Sequence, residues 1–246
     1  MALSTDRILN STVTLLAHCQ PDITGNHLDI GSGHGDLIRL MRERFAVTSS
    51  ACDYTDALMQ LPDQRVDIVD LNEATLPYPD AHFAVVTCTE VIEHVENHRR
   101  LLRECHRVLQ PGGLLVVSTP NILNLSSRVR FLLFGFWNLF GPLPVAHRQK
   151  QSTSGHINPI SSFYLSHALL EAGFLDLRIA VDKRQRTSLL GLVVFGLPIL
   201  LFGTWLRRRE RTRYRTLDDS NRALVERMNS LDLLLGRTIL VTARKP

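Results

Sequence analysis

Three aspartates and a cluster of glycines carry the clearest chemistry in this chain. Within LDIGSGHGDL, residues 28–37, Asp29 stands two positions before Gly31, and Gly33 and Gly35 follow at alternate positions around Ser32. An apolar run ends there and a helical pattern begins, so the glycines give a tight turn and bring unpaired backbone N–H groups up to a ligand. The spacing is G-x-G-x-G, whereas a dinucleotide fingerprint reads G-x-G-x-x-G. Asp53 closes the next apolar run with Tyr54 behind it, and Asp70 and Leu71 follow the third. A carboxylate at a strand end accepts two hydroxyl hydrogen bonds, as the vicinal diol of a ribose requires. Singly, each acid is an ordinary solvated strand end. Together they lie at the carboxyl ends of three adjacent strands, where open α/β sheets bind their ligands.

A second group is built for moving protons. TEVIEHV, residues 89–95, sets Thr89, Glu90, Glu93 and His94 just beyond the fourth apolar run, and His156 sits in a GHINP segment. His94 and His156 are the candidate catalytic bases, because imidazole titrates closest to neutral pH. On a helix Glu90, Glu93 and His94 would share one face, as metal ligands do. Such a trio is common on polar helices, and no metal is assigned to it.

The elements that position these groups alternate along the chain. An amphipathic N-terminal helix with Ile8, Leu9, Thr12, Leu15 and Leu16 on its apolar face leads into strands at 27–31, 46–52, 66–69, 83–88 and 114–118. Helices are expected at 35–45, 56–61 and 97–109, the last closed by the Pro-Gly-Gly turn at 111–113. Continuously apolar strands indicate a parallel sheet covered on both faces. Beyond it come a helix at 161–172, a strand at 174–181, a polar helix at 219–235 and a last strand at 238–243. An apolar content of 44% against 21% charged residues excludes a disordered chain. Cys19, Cys52, Cys88 and Cys105 form no CxxC pair and read as reduced core thiols of a cytoplasmic protein. Residues 1–21, broken by Asp6, Arg7 and His18, do not resemble a secretory signal.

Residues 28–120 resemble the class I S-adenosylmethionine-dependent methyltransferases, in the type 11 and ubiquinone-biosynthesis O-methyltransferase branch. LDIGSGHG, Asp53, DLNEATLPYPDAHFAVV, TEVIEHV and LRECHRVLQPGGLLVVSTPN carry the likeness. It implies a Rossmann-like α/β fold: a seven-stranded, mostly parallel sheet, helices on both faces and an antiparallel last strand. It implies S-adenosyl-L-methionine as cofactor. Asp29, Gly31, Ser32, Gly33 and Gly35 would hold its methionine end, Asp53 and Tyr54 its ribose, and Asp70 and Leu71 its adenine, with Thr89 and Glu90 completing the site. The whole of 1–246 would form one methyltransferase domain with an acceptor-side insertion at 121–157 and a hydrophobic, basic insertion at 184–216.

That second insertion contains SLLGLVVFGLPILLFGTWL, residues 188–206, without a charge. One crossing of a membrane would separate two strands, 174–181 and 238–243, that belong to one sheet. Lys183, Arg184 and Arg186 precede the run, and Arg207, Arg208, Arg209 and Arg211 follow it. Basic residues at both ends suit a segment whose ends face the same anionic leaflet. The expectation is an in-plane or re-entrant contact through 188–213, bent at Gly196 and Pro198, with the aromatic stretch 131–146 on the same surface; a buried hairpin or subunit interface is the bland alternative. Some relatives acting on polyprenylated quinone precursors resemble this chain in carrying an apolar insertion after the fifth strand. The function expected is methyl transfer, most readily to oxygen, on a small amphiphilic or lipid-linked acceptor at the cytosolic face of a membrane. A non-catalytic adaptor on the same fold and a nicotinamide-dependent oxidoreductase are the alternatives. With a net charge of +4 gathered largely in residues 207–215, no nucleic-acid partner is expected.

Overall fold

In a computed structural model, which describes residues 5–73, 75–145 and 155–246, seven strands form one sheet in the order β3-β2-β1-β4-β5-β7-β6. They are β1 Thr24–Ile30, β2 Ala46–Asp53, β3 Val66–Ile68, β4 Phe83–Thr89, β5 Leu109–Pro120, β6 Leu175–Val181 and β7 Thr238–Arg244. β1 through β5 pair in parallel, and β7 runs antiparallel between β5 and β6. Chain order reverses between β1 and β4, so the carboxyl ends of those strands open a crevice at the switch point.

Helices cover both faces. α1 (Asp6–Cys19) and α2 (Asp36–Arg44) bury Leu9, Leu16, Leu37 and Met41 against Val85, Leu114 and Val116. On the other face α3 (His98–Val108) and α5 (Ser162–Glu171) pack Leu102, Cys105, Leu165 and Leu169 onto Leu28, Val86, Leu115 and Val241. α1 buries Ile8, Leu9, Thr12 and Leu16 as its periodicity predicts, with Leu15 half-buried. Cys52, Cys88 and Cys105 are free thiols in the core, and Cys19 is partly buried.

Four local expectations are corrected. Residues 56–61 form a turn and no helix: the Gln60 N–H donates to the His34 carbonyl and ties the segment to the glycine loop. Pro111 to Gly113 do not end a helix in a free turn. They bulge within β5, where the register steps from Phe83↔Leu109 to Val85↔Leu114. The helix expected at 219–235 is two short ones, α7 (Arg222–Arg227) and α8 (Leu231–Leu235), because Ser230 caps α8 by accepting the Leu233 N–H. The uncharged run is one continuous helix, α6 (Arg186–Arg209), through Gly196 and Pro198 without re-entry, followed by a π turn at Glu210–Tyr214.

The acceptor-side insertion contributes α4 (Leu125–Phe134), capped by Asn124; its residues 146–154 lie outside the described ones. Both insertions leave the sheet at its carboxyl edge, α4 after β5 and α6 after β6. α6 lies on the body of the protein along a single stripe. Ser188 is fully buried at the Asn124 cap, and Leu192 and Ile199 pack on Leu125, Leu234 and Leu235. A Cβ on Gly203 would lie 3.0 Å from the side chain of Asn229. The other sides of α6 are exposed: Leu190, Val193, Leu197, Leu201 and Phe202 are each more than half accessible.

Candidate active site

The floor of the crevice is a line of buried polar groups across three strands. His27, fully buried on β1, approaches Ser49 Oγ through Nδ1 at 3.0 Å and Thr87 Oγ1 through Nε2 at 2.8 Å. The Thr87 hydroxyl donates to Asp29 Oδ1 at 2.7 Å. One hydroxyl has one proton, so His27 carries its own on Nε2 and accepts from Ser49 at Nδ1. Burial, helped by Arg42, pulls the His27 imidazole down to about 3 and keeps it neutral. Asp29 is 2% exposed. Burial pushes its carboxyl up to about 7; the Thr87 hydrogen bond works against that rise and the charge of Asp53 adds to it. A desolvated carboxyl that titrates near neutral pH gains from a nearby cation, which favours its ionised form.

The glycine loop turns directly above. Gly31 (φ 73°) donates to the Cys52 carbonyl at 2.8 Å, and a Cβ there would meet Val91 Cγ2 at 2.3 Å. Gly35 (φ 83°) caps α2, with Met59 Sδ 2.7 Å from where its Cβ would be. Their left-handed backbone strains any other residue at both positions, and Val91 crowds the first as well. Ser32 Oγ is buried and has no hydrogen-bond partner among the described residues. Asp53 accepts the Gly33 N–H on Oδ2 at 2.9 Å and the Tyr54 N–H on Oδ1 at 2.7 Å. Each oxygen retains a lone pair, held in a fixed plane by backbone donors. Asp70 accepts the Asn72 N–H at 3.0 Å, and Leu71 packs against the core. The following loop is strapped to α3, where Arg107 donates to the Leu76 and Tyr78 carbonyls and to Asp80 and Glu104. The preformed crevice, the positioned Asp53 and the orphaned Ser32 hydroxyl fit a cationic, ribose-bearing ligand.

β4 ends in a strained bend. Thr89 is buried, and Glu90 adopts φ 56°, in the left-handed region, while its N–H reaches Ser118. Ser118 Oγ donates to Glu90 Oε1 at 3.0 Å; burial raises the Glu90 carboxyl to about 7 against that bond. The residues after this bend form turns, so Glu90 points to β5 and does not share a face with Glu93 and His94. Glu93, fully buried, accepts from Thr119 Oγ1 through Oε2 at 3.0 Å, and its carbonyl accepts the N–H groups of Ile157 and Asn158. Burial, then the charge of Glu90, drives its carboxyl well above the ordinary range. His94 Nδ1 lies 3.0 Å from the Gly155 carbonyl, and the His94 and His156 rings meet edge to face at 4.7 Å. Burial lowers both imidazoles, the neighbouring His156 contributing at His94.

The two candidate bases, far apart in sequence, therefore meet at one place beside the glycine loop, with Val91 between the two groups. The sequence placed Glu93 on a helical face with Glu90 and His94 and gave no signal for its partner Thr119, which lies 26 residues on in β5. The His27–Thr87 line carried no motif at all; two polar residues inside apolar strands were its only signal.

Comparisons agree with this geometry. Residues 6–178 match the model of the methyltransferase domain family. A probable S-adenosylmethionine-dependent methyltransferase of Mycobacterium tuberculosis (strain CDC 1551 / Oshkosh) is 33% identical over 148 residues, 59% of this chain and 46% of that protein. A ubiquinone biosynthesis O-methyltransferase of Coxiella burnetii (strain Dugway 5J108-111) is 29% identical over 110 residues, 42% of this chain and 47% of that one. The matches thus span about half the length of these curated relatives. The crystal structure of a SAM-dependent methyltransferase from Archaeoglobus fulgidus superposes with a TM-score of 0.59 at 18% identity, covering 96% of this chain and 94% of that one. Glycine loop, the buried acid Asp53 at the end of β2, strand order and family match converge: the chain belongs to the methyltransferase domain family, on the Rossmann-like scaffold of class I enzymes that use S-adenosylmethionine.

Proposed function

We propose that this protein is an S-adenosylmethionine-dependent methyltransferase that methylates an oxygen of an amphiphilic or lipid-linked acceptor, working at the anionic cytosolic face of a membrane. The bound cofactor supplies a methyl group already activated by its sulfonium. The protein's own work is alignment and exclusion of water. Asp29 and the Gly31–Gly35 loop would hold the cationic amino-acid end, Asp53 with Tyr54 the ribose, and Asp70 with Leu71 the adenine. Thr89 and Glu90 would form the wall under the reacting methyl. His94 and His156 would carry acceptor activation, since neutral imidazoles present lone pairs at physiological pH.

The observation supporting the amphiphilic acceptor is the exposed apolar surface at the carboxyl edge. α4 offers Phe131, Leu132, Leu133 and Phe134, and α6 lies beside it, apolar almost all round with Val193 85% exposed. A helix of that character is normally buried. Lys183 and Arg184 before it, Arg186 at its start and Arg207 through Arg209 in its last turn favour an anionic interface over a neutral protein partner.

The test combines flotation with transfer. Purified protein is mixed with anionic or neutral vesicles and floated, and membrane extracts are incubated with methyl-labelled S-adenosylmethionine. Flotation with anionic vesicles only, with label in the organic phase, is the expected result. Label entering only water-soluble acceptors, with the protein left at the bottom of the gradient, would overturn the acceptor assignment while leaving the methyltransferase in place.

A further inference from the structure

Ser49 lies directly opposite His27 across β2 and β1, and Thr87 directly opposite Asp29 across β4 and β1. The His27 imidazole bridges these two pairs on the diagonal, so four polar side chains from three strands form one line of hydrogen bonds inside the sheet. His27 and Thr87 are wholly buried, and Ser49 and Asp29 nearly so. Apolar side chains would pack these positions without losing hydration, as Val85 does opposite His27 on β4. A buried polar line whose members are all satisfied instead fixes the direction of every proton in it. The Thr87 hydroxyl has two acceptors in reach, Asp29 Oδ1 at 2.7 Å and the Leu28 carbonyl at 3.4 Å. With the Nε2 N–H of His27 donating to its oxygen, Thr87 gives its own proton to Asp29, and each donor polarises the next. On the other side Asp29 is opposite Ala51, which has no side-chain donor.

We propose that His27 is a positioning residue for the cofactor: acting through Thr87, it holds Asp29 as a charged acceptor with Oδ2 left for the cationic amino-acid end of S-adenosylmethionine. Ser49 acts at one further remove, by donating to Nδ1 and so keeping the His27 proton on Nε2. The cofactor's part in this rests on the methyltransferase reading, under which Asp29 meets that end; the tuning of Asp29 does not. Burial is the main force against the Asp29 charge, the Thr87 hydrogen bond resists it, and Asp53 at the end of β2 adds to the burial. The buried thiols of Cys52 on β2 and Cys88 on β4 also face Asp29, and burial drives both upward, so they stay neutral. Burial, and then Arg42 of α2, keep His27 itself uncharged. His27 therefore works as a fixed neutral donor, and Asp29 is the group in this line that titrates near neutral pH.

The experiment follows Asp29 itself. Full-length protein labelled with carbon-13 at the aspartate carboxyls is titrated by NMR without ligand, the Asp29 signal being assigned by its loss in Asp29→Asn. S-adenosylmethionine affinity is measured by calorimetry over the same pH range. His27→Leu removes the donor and should move the Asp29 midpoint up by about half a pH unit, so that affinity falls about threefold at pH 6.0 and hardly at all at pH 8.0. His27→Gln supplies an amide donor to Thr87 and an acceptor to Ser49, and should restore the parent midpoint. Ser49→Ala, which does not touch Asp29, should shift the midpoint the same way by a smaller amount, and it carries the test if His27→Leu does not fold. A midpoint unmoved by these substitutions would overturn the proposal, as would an affinity loss equal at every pH, the mark of a merely structural role. A midpoint that moves while affinity does not follow would overturn the role given to Asp29 at the cofactor. Tuning of Asp29 in protein that binds no S-adenosylmethionine at all would uphold the hydrogen-bond line and sink the methyltransferase reading.

Discussion

Asp29 and Asp53 are both buried carboxyls at strand ends, yet their partners assign them different work. Asp53 has a backbone N–H on each oxygen, so it is poised to receive two further donors without moving. Asp53→Ala should lower S-adenosylmethionine affinity by about 100-fold, roughly the worth of two hydrogen bonds to a charged acceptor; calorimetry with circular dichroism separates this from unfolding. Asp29 has one hydroxyl partner and little else, and its carboxyl titrates near 7. In an unfolded chain it would titrate near ~3.9. Between those values the folded protein holds the extra proton, so Asp29 makes stability fall as pH rises from about 4 toward 7. The cationic end of the cofactor favours the ionised form, so its affinity should rise severalfold from pH 6.0 to 7.5. Asp29→Asn retains the acceptor for Thr87 and removes the desolvated charge. It should flatten the affinity profile and weaken binding, with a melting temperature no lower than the parent's at pH 7.5. A parent profile that is already flat would refute the role given to Asp29.

At the scale of elements, the glycine loop is defined by what packs over it. Val91, from the turn after β4, occupies the space a side chain at position 31 would need. Gly31→Ala is expected to cost roughly 2–4 kcal/mol, combining left-handed backbone strain with overpacking, and to lower the melting temperature by about 5–15 °C. Adding Val91→Ala removes the clash and leaves the strain, so the double variant should recover part of the loss; additive losses would deny the contact. This coupling explains what the sequence could and could not tell. The glycines, Asp29, Asp53 and the apolar strands were readable because backbone conformation and burial fix residue types locally. The split of 219–235 and the turn at 56–61 were not, since both follow from tertiary bonds, Ser230 capping Leu233 in one case and His34 receiving Gln60 in the other. TEVIEHV misled for the same reason: its i, i+3, i+4 spacing suits a helix, but the Glu90 N–H is taken by Ser118 on β5. The meeting of His94 with His156 has no local signature, because a docked segment 61 residues downstream creates it.

For the whole molecule, the proposed membrane contact would make α6 the element that decides how the sheet sits against a lipid surface. At 24 residues it is about 36 Å long, enough to cross a bilayer. Its neighbours argue against crossing. Ser188 at its start is held at the Asn124 cap, and Gly203 near its end lies beside Asn229, which accepts a hydrogen bond from Arg128 of α4. Both ends of the helix therefore rest on the same body. The returning chain, residues 215–230, carries Asp218, Asp219, Arg222, Glu226 and Arg227, which no bilayer core would admit. On the proposed reading an in-plane helix would satisfy these constraints, placing its exposed faces among acyl chains and Arg207, Arg208 and Arg209 at the headgroups. Single cysteines replacing Arg186 and Tyr214 should then react with a membrane-impermeant maleimide from the same side of sealed vesicles. Trp205, 55% exposed in the protein alone, should shift its emission to the blue on anionic vesicles and lose that shift as salt is raised. Labelling of the two cysteines from opposite sides would mean a crossing helix, and with it a different route for the acceptor to the histidine pair.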